Sequence, residues 1–316
     1  MLSNIFAFLV FPVGVLLAFC HKYDSSESFE EEYFSKKQTT ILKGIMSIVV
    51  FLHHFQMIVD NVEWIERAYR GVQYSVGVFF FLAGYTSFLG YMKAGKVNLK
   101  KAWINRCWRL YLPLTIMTVW LDNFLAPLLI FFVFTDFAFI IFKNNKARLT
   151  FIFFGNWLFI ALFIIFARDL VWWYDDVLTY SLGALFALNK DRVISYLREN
   201  KVRYWMCFLG LLAVYVAARY NAYIWRYYTI STMLSSTVGA LLMFLVLMKV
   251  RLESRVFYFL GQYTFEFYYI QNHFLCGFNK IFSHNSVVLL ASFACAILLS
   301  VLVQWATKKL RNKVTS

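Results

Sequence analysis

The chain has 316 residues, of which 61% are hydrophobic, 21% are aromatic and only 15% are charged. A soluble domain of this length needs far more polar surface, so the composition excludes that class and predicts an integral membrane protein. The formal net charge is +14, but the basic residues form short clusters between apolar runs, so we expect membrane lipids and no nucleic acid as partners.

The N-terminal 40 residues are predicted to differ from the rest of the chain. Residues 2–20 form an apolar run that predicts an extra transmembrane helix, and an acid-rich polar connection follows it on the cytoplasmic side. Residues 41–316 show no repeat and no low-complexity linker, so we expect one polytopic domain with a short basic tail at its C-terminus.

Ten further runs are apolar and long enough to cross a membrane, since a spanning helix needs about 20 residues. These runs are residues 42–59, 74–92, 110–125, 127–142, 151–167, 170–188, 204–218, 229–248, 256–277 and 286–306. The sequence therefore predicts an all-α, polytopic integral membrane helical bundle with about ten core transmembrane helices plus one extra N-terminal helix.

The distribution of basic residues gives the expected orientation. With eleven spans and a cytoplasmic C-terminus, 25 of the 31 Lys and Arg residues lie on the cytoplasmic side and 6 lie outside. Short cytoplasmic loops carry this excess in multi-pass proteins. We therefore expect a multi-pass protein of a cell membrane, most simply a bacterial plasma membrane. The five cysteines include no CxxC pair, so we expect neither a disulfide framework nor a metal site.

The first core run carries two ionisable residues at a helical spacing. Lys43 and His54 are eleven residues apart, which places them on one face of a helix and about 16 Å apart along its axis. A lysine at the cytoplasmic edge then places His54 near the membrane midplane, where ionisable residues are usually functional. His54 is thus a candidate general base for a hydroxyl. The alternative is a histidine that only hydrogen-bonds a neighbouring helix.

Two arginines follow the next run. Arg106 and Arg109 are three residues apart, so they are neighbours on one helical face at the cytoplasmic boundary, at the expected level of Lys43. Three such cations suit a polyanion such as a nucleotide phosphate. The alternative is that they are anchors that follow the positive-inside rule.

Candidate substrate-binding residues occur further along the chain. Aromatic rings stack on sugars and carboxylates accept hydrogen bonds from sugar hydroxyls, which favours the segment Trp172, Trp173, Tyr174, Asp175 and Asp176. The alternative is an aromatic belt at the membrane boundary. Glu266 lies inside an apolar run, two turns before His273, and either orients a reacting group or forms a hydrogen bond between helices.

Taken in order, these motifs resemble the acyltransferase family 3 of polytopic membrane acyltransferases, over residues 41–306. The resemblance rests on the basic residue and histidine of the first core helix and on the motifs "GVFFFLAGY", "RCWR", "WWYDDVLTYSLGALFAL" and "FLGQYTFEFYYIQNHF". It implies transfer of an acyl group, often acetyl from acetyl-CoA, to hydroxyls of cell-envelope glycans or of small lipid or sugar acceptors. Lys43 and His54 would be the family's basic residue and histidine, and Arg106 and Arg109 its paired arginines.

The chain also departs from that family's pattern. Lys43 stands where Arg is common, Ala83 where Ser is frequent and Gln271 near a frequent histidine, and the run 2–20 is an additional span. The first departure keeps the positive charge, and the other three leave the subfamily and hence the acceptor open.

The resulting expectation is an acyltransferase with no tightly bound cofactor, which uses acyl-CoA, most simply acetyl-CoA, as its donor co-substrate. Its acceptor would be an extracytoplasmic glycan or a lipid-linked sugar, and its catalytic residues would be His54 and Lys43. His54 acts either as a general base or as a covalent carrier of the acyl group. The rival expectations are a transporter or flippase of a polar lipid-linked substrate, and a non-catalytic component of envelope-glycan assembly.

Overall fold

The computed structural model describes residues 34–60, 62, 73–95, 98–117, 124–224 and 228–315. The predicted N-terminal helix and most of the polar connection after it lie outside these residues. Every regular element in the described part of the chain is helical. The longer ones are α1 (Lys36–Ile58), α2 (Gln73–Ala94), α3 (Leu99–Arg106), α4 (Leu112–Met117), α5 (Leu125–Ile141), α6 (Asn145–Phe166), α7 (Leu178–Arg198), α8 (Lys201–Ile224), α9 (Tyr228–Leu247), α10 (Arg255–Gln262), α11 (Thr264–Ile281) and α12 (Asn285–Thr315).

Six of the described helices are long and apolar enough to cross a membrane: α1, α2, α6, α8, α9 and α12. Helix α5 is as apolar but shorter, with 17 residues. On the outer helices, large apolar side chains such as Phe166 and Leu298 are exposed, as expected for surfaces that face lipid. The chain is therefore a multi-pass helical membrane protein, while the count of about ten core helices stays a prediction.

Three of the predicted spans differ clearly from the observed helices. In the run 170–188, a 3₁₀ turn, Val171–Trp173, comes first, and α7 begins only at Leu178 and continues to Arg198. The run 110–125 is described only in part, since residues 118–123 lie outside the described residues; its start falls in a π-helical turn, Cys107–Tyr111, which follows α3 and precedes α4. The run 256–277 is divided at Tyr263, where α10 ends and α11 begins. The Thr264 hydroxyl lies within hydrogen-bonding distance of the Gly261 carbonyl there, so a side chain satisfies part of the backbone freed by the break.

Glycines set the closest helix contacts. Gly84 of α2 lies against the backbone carbonyl of Tyr180 on α7, and Gly183 of α7 lies against the carbonyl of Phe81 on α2. A Cβ atom at either glycine would collide with the opposite backbone. The same device joins α1 to α10, through Gly44. Gly84 thus lets α2 and α7 pack closely, as small residues do where membrane helices meet.

The start of α1 is tied to the segment before α10. Ser35 caps the helix by accepting a hydrogen bond from the Gln38 backbone N–H. The buried Gln38 side chain donates to the Leu252 carbonyl at 3.0 Å and accepts from the Leu252 N–H at 2.8 Å. These bonds fix the position of α1, on which the candidate site is built.

Candidate functional site

A cavity of about 300 Å³ lies between α1, α2, α10, α11 and the start of α5. Its size is at the lower end of the range for small-molecule pockets. The lining residues are Thr39, Lys43, Ser47, Phe79, Leu82, Ala83, Thr86, Phe124, Leu128, Gly261, Gln262, Thr264, Phe265, Phe267, Tyr268 and Gln271. The break between α10 and α11 thus forms part of the cavity wall.

The polar wall of the cavity follows from helical spacing. Thr39, Lys43 and Ser47 are four residues apart on α1 and therefore point in nearly the same direction. The Ser47 hydroxyl donates to the Lys43 carbonyl at 2.8 Å and lies 3.2 Å from the hydroxyl of Thr264 on α11. The α2 and α5 walls opposite are mainly apolar and aromatic, with Thr86 as an exception. The cavity therefore has a polar side and an apolar side.

Lys43 brings a positive charge to the cavity, and no described acidic side chain pairs with it. Within the described part of the chain its ammonium group makes no ion pair and no side-chain hydrogen bond. Its closest electrostatic neighbours are themselves cations, Lys36 and Arg109. A partly buried cation beside other cations is unfavourable unless an anion joins it. This end of the cavity is therefore suited to an anionic ligand.

His54 adjoins the cavity at its other end. Its Nδ1 atom lies 3.0 Å from Nε2 of Gln271, which lines the cavity and is completely buried. Its ring also meets the ring of Tyr268, another lining residue, edge-on at 6.1 Å between centroids. His53, by contrast, pairs with Gln56 of its own helix at 3.2 Å. The two histidines therefore have different hydrogen-bond partners, on different helices.

Arg106 has a different setting from Lys43. Its guanidinium binds both carboxylate oxygens of Asp136 on α5, at 2.5 and 3.0 Å, and Tyr91 of α2 donates to the same carboxylate at 2.5 Å. The guanidinium also lies over the rings of Trp103 and Phe132, 4.8 and 4.6 Å from their centroids. Arg106 thus joins α2, α3 and α5, and it does not line the cavity.

The expected trio of cations is therefore only partly assembled. Arg109 is exposed and close enough to Lys43 for their charges to interact. Arg106, three residues earlier, directs its charge to Asp136. The structure brings Lys43 and Arg109 into one electrostatic environment and leaves Arg106 outside it.

The aromatic and acidic segment before α7 does not line the cavity. Trp172 is 57% exposed, and Trp173 stacks on Phe163 at 5.7 Å between centroids. Tyr174 is fully buried, and its hydroxyl donates to the Arg168 carbonyl at 3.0 Å. Within the segment 172–176, only Trp172 and Trp173 are therefore accessible to a ligand.

The two carboxyl groups of that segment are buried. Asp176 accepts a hydrogen bond from Ser236 of α9, and Gly77 of α2 packs beside both side chains. Asp175, the residue before it, is also buried, with 2% exposure. Burial raises the pKa of Asp175 to about 7, and burial together with the neighbouring Asp175 also raises the pKa of Asp176. These groups hold helices together rather than presenting an acceptor surface.

Glu266 is buried at 5% exposure and does not line the cavity, although both of its chain neighbours do. It lies within hydrogen-bonding reach of Gln304 on α12. The Gln304 amide in turn donates to the Gln262 carbonyl at 2.9 Å. This position corresponds to the structural alternative for Glu266, a polar link between two helices. His273, two turns further on, is exposed.

Sequence reasoning did not assign roles to Asp136, Gln271 and Tyr268. Asp136 is the single acidic residue within α5, and an acid inside so apolar a run already indicates a partner. Gln271 was visible only as a departure from the family pattern. Nothing in the sequence distinguishes Tyr268 from the other aromatic residues around it.

Within the described residues, no group of three or more His, Cys, Asp or Glu side chains is placed to hold a metal ion.

Comparison with known proteins does not identify the chain. No protein-family model, no curated protein and no solved structure matches the chain. The resemblance to acyltransferase family 3 therefore stays a prediction.

Proposed function

We propose that this chain is a membrane acyltransferase. It moves an acyl group, most simply acetyl, from cytoplasmic acyl-CoA to a hydroxyl of an extracytoplasmic or lipid-linked glycan. The observation that carries the proposal is the cavity itself. Lys43 lines it without an ion pair among the described residues, and Gln271, which also lines it, holds His54 beside it. The resemblance of the motifs adds to it. A bacterial plasma membrane with a cytoplasmic C-terminus is the location that goes with this proposal.

The donor's phosphates would bind at the end of the cavity that carries Lys43. Lys43 and Arg109 supply two positive charges there, and partial burial makes each interaction with phosphate stronger than on an open surface. Arg106 would contribute indirectly, since its ion pair with Asp136 fixes α3, which leads to Arg109. This division of roles modifies the expectation that all three cations contact the phosphates.

The acyl thioester would extend along the cavity toward His54. The axial rise between Lys43 and His54 is about 16 Å, so the two ends are separated by a distance that an extended arm must cross. The apolar wall formed by Phe79, Leu82 and Leu128 suits the uncharged part of such a molecule. The distance and the lining are consistent with a donor that has a charged head and a long, mostly uncharged arm.

His54 would act as the general base. The acceptor oxygen attacks the thioester carbonyl carbon while the imidazole takes the proton from that oxygen, and the C–O bond forms as the C–S bond breaks. The proton then passes from the imidazolium to the departing thiolate, which leaves as CoA. On the acceptor side, the exposed ring of Trp172 and the half-buried ring of Trp173 are the groups of their segment that can stack on a sugar.

The test is transfer of labelled acetyl from acetyl-CoA to glycan or lipid material in inverted membrane vesicles. His54→Ala removes the general base, so we expect a loss of about 10²- to 10⁴-fold in the rate of label transfer. His53→Ala is the matched control, because His53 pairs within its own helix. Its rate should stay within about threefold of the wild type.

The unfolding temperature of each purified variant in detergent shows whether it is folded. Equal labelling by the wild type and by a folded His54→Ala variant would remove His54 from the reaction. A third outcome would favour the transporter. In it, neither the wild type nor the variant gives labelled product, and the wild type moves a polar lipid-linked substrate across the vesicle membrane.

A further inference from the structure

Gln271 is placed to control the chemistry of His54. Its side chain is completely buried, lines the cavity and lies 3.0 Å from His54 Nδ1. Within the described part of the chain, this is the one hydrogen bond of the His54 ring. Since Nδ1 is engaged, Nε2 is the ring nitrogen that can exchange a proton with another molecule.

The two ends of the carboxamide have opposite consequences. With the NH₂ group toward Nδ1, that nitrogen accepts, so the neutral ring carries its proton on Nε2 and cannot serve as a base there. With Oε1 toward Nδ1, that nitrogen carries the proton and Nε2 has a free electron pair. The two orientations have nearly the same shape, and the choice between them is made by the hydrogen-bond network.

The surroundings leave that choice to the His54–Gln271 pair. Gln271 Oε1 is buried and has no hydrogen-bond partner within the described residues. Its Nε2 bonds only to His54 there. Rotation of the amide therefore exchanges one hydrogen bond for another, without breaking a bond to any third described group. A carboxylate would not offer this choice, because it can only accept.

We propose that Gln271 is a positioning residue, which presents its amide oxygen to His54 Nδ1–H and so keeps Nε2 free to accept the proton of the acceptor hydroxyl. This inference rests on the proposed function, in which His54 is a general base. The amide oxygen also stabilises the imidazolium that forms when Nε2 gains the proton. It has the role that a carboxylate has in a Ser-His-Asp triad, without the charge.

The neighbouring groups define the environment of this pair. Among the described residues, the titratable side chains in ring contact with His54 are His53, 5.9 Å away between ring centroids, and Tyr268 of α11, 6.1 Å away. No described acidic side chain makes a hydrogen bond or an ion pair with His54. Among the described residues, a carboxylate introduced at position 271 would thus be the first negative charge in contact with the imidazole.

The chain provides a matched control. Gln56 lies 3.2 Å from Nδ1 of His53, and its Oε1 atom is likewise buried and without a partner within the described residues. This second glutamine–histidine pair does not line the cavity. Gln56→Met therefore makes the same chemical change as Gln271→Met, but next to His53, which has no role in the proposed reaction.

The experiment measures the tautomer of His54 and the pH profile of acyl transfer. Nitrogen NMR of ¹⁵N-histidine-labelled protein in detergent, assigned through His54→Ala, should show His54 protonated on Nδ1 in the wild type. We expect Gln271→Met to shift this population toward the Nε2-protonated form and to lower the rate at saturating acyl-CoA by about tenfold or more. The apparent KM for acyl-CoA should stay unchanged, because the variant leaves Lys43 in place.

Gln271→Glu should restore most of the rate lost in Gln271→Met. Its carboxylate favours the imidazolium, so the pH at which activity is half-maximal on the acid side should rise. Gln56→Met should match the wild type in the His54 signals and in the rate. A folded Gln271→Met protein with the wild-type tautomer and the wild-type pH profile would overturn the inference.

The two proposals fail differently. If vesicles yield no acyl transfer with any acceptor, the proposed function fails, and the NMR comparison still shows whether Gln271 sets the His54 tautomer. If transfer requires His54 and the tautomer is insensitive to Gln271→Met, the function stands and the role of Gln271 is refuted.

Discussion

Lys43 and Arg106 are both basic residues set among apolar helices, but their surroundings differ. Arg106 has two bonds to Asp136, a tyrosine on the same carboxylate and two aromatic rings against its guanidinium. Lys43 faces a cavity, with other cations as its electrostatic neighbours. The difference separates two uses of charge in one bundle: Arg106 connects helices, and Lys43 is available to a ligand.

Asp176 and Gln271 show the same contrast between a side chain that joins helices and one that lies at the cavity. Asp176 is buried between helices and accepts a hydrogen bond from Ser236. Gln271 is completely buried beside the cavity, and within the described residues its carboxamide bonds only to His54. A buried polar group costs free energy unless it is hydrogen-bonded, so a carboxamide whose one described partner is this histidine is suited to positioning the ring.

The largest expected effect concerns the ion pair of Arg106. Asp136→Ala leaves a partly buried guanidinium without its carboxylate, and we expect a loss of about 3–5 kcal/mol in the free energy of unfolding. Chemical denaturation in detergent measures this loss. The double variant Arg106→Met with Asp136→Leu should recover most of it, since replacing both charges by apolar groups is often neutral.

Lys43→Met is the comparison that sharpens this test. It removes an uncompensated charge, so the free energy of unfolding should stay equal to that of the wild type or increase. A variant destabilised as strongly as Asp136→Ala would show that Lys43 also has a structural partner, and the contrast between the two residues would not hold.

The next effect concerns the contact between α2 and α7. Gly84→Ala places a Cβ atom against the Tyr180 backbone, and we expect a loss of about 1–3 kcal/mol through forced separation of the helices. Gly90→Ala on the same helix is the control, because a Cβ there meets nothing within 4 Å. That variant should gain up to about 1 kcal/mol from helix propensity. Similar unfolding temperatures for the two variants would contradict the close approach.

The smallest expected effect is a dependence of stability on pH. Because the pKa of Asp175 is raised to about 7 by burial, the folded protein retains a proton that the unfolded chain has already released at pH 5 to 6.5. The unfolding temperature should therefore fall as the pH rises from 5 to 8. Asp175→Asn should reduce this slope, and Asp169→Asn, at an exposed position, should not. An unchanged slope in Asp175→Asn would contradict its burial.

Much of the fold could be predicted because each helix is a local pattern. The apolar runs 74–92 and 229–248 agree closely with α2 and α9, since length and hydropathy suffice to define a spanning helix. The break at Tyr263 could not be predicted in this way. It depends on the approach of Gly261 to α1, which is a contact between segments more than 200 residues apart.

The candidate site was predictable where helical spacing decides it. Lys43 and His54 were expected on one face of α1, and both adjoin the same cavity. The ion pair of Arg106 was not predictable. Its partner Asp136 lies on another helix, and the sequence does not show which cation Asp136 binds. The burial of Asp176 likewise depends on another helix, α9, whose Ser236 donates a hydrogen bond to it.

The most direct test of the central claim is equilibrium binding of CoA to the purified protein in detergent, with wild type, Lys43→Met and Lys37→Met compared. Lys37 is an exposed lysine of the same helix, so its variant controls for the change in net charge. We predict that Lys43→Met weakens binding about tenfold or more, or about 1.4 kcal/mol, and that Lys37→Met binds like the wild type. Equal affinities in all three proteins would contradict the claim that the cavity charge of Lys43 receives an anionic ligand.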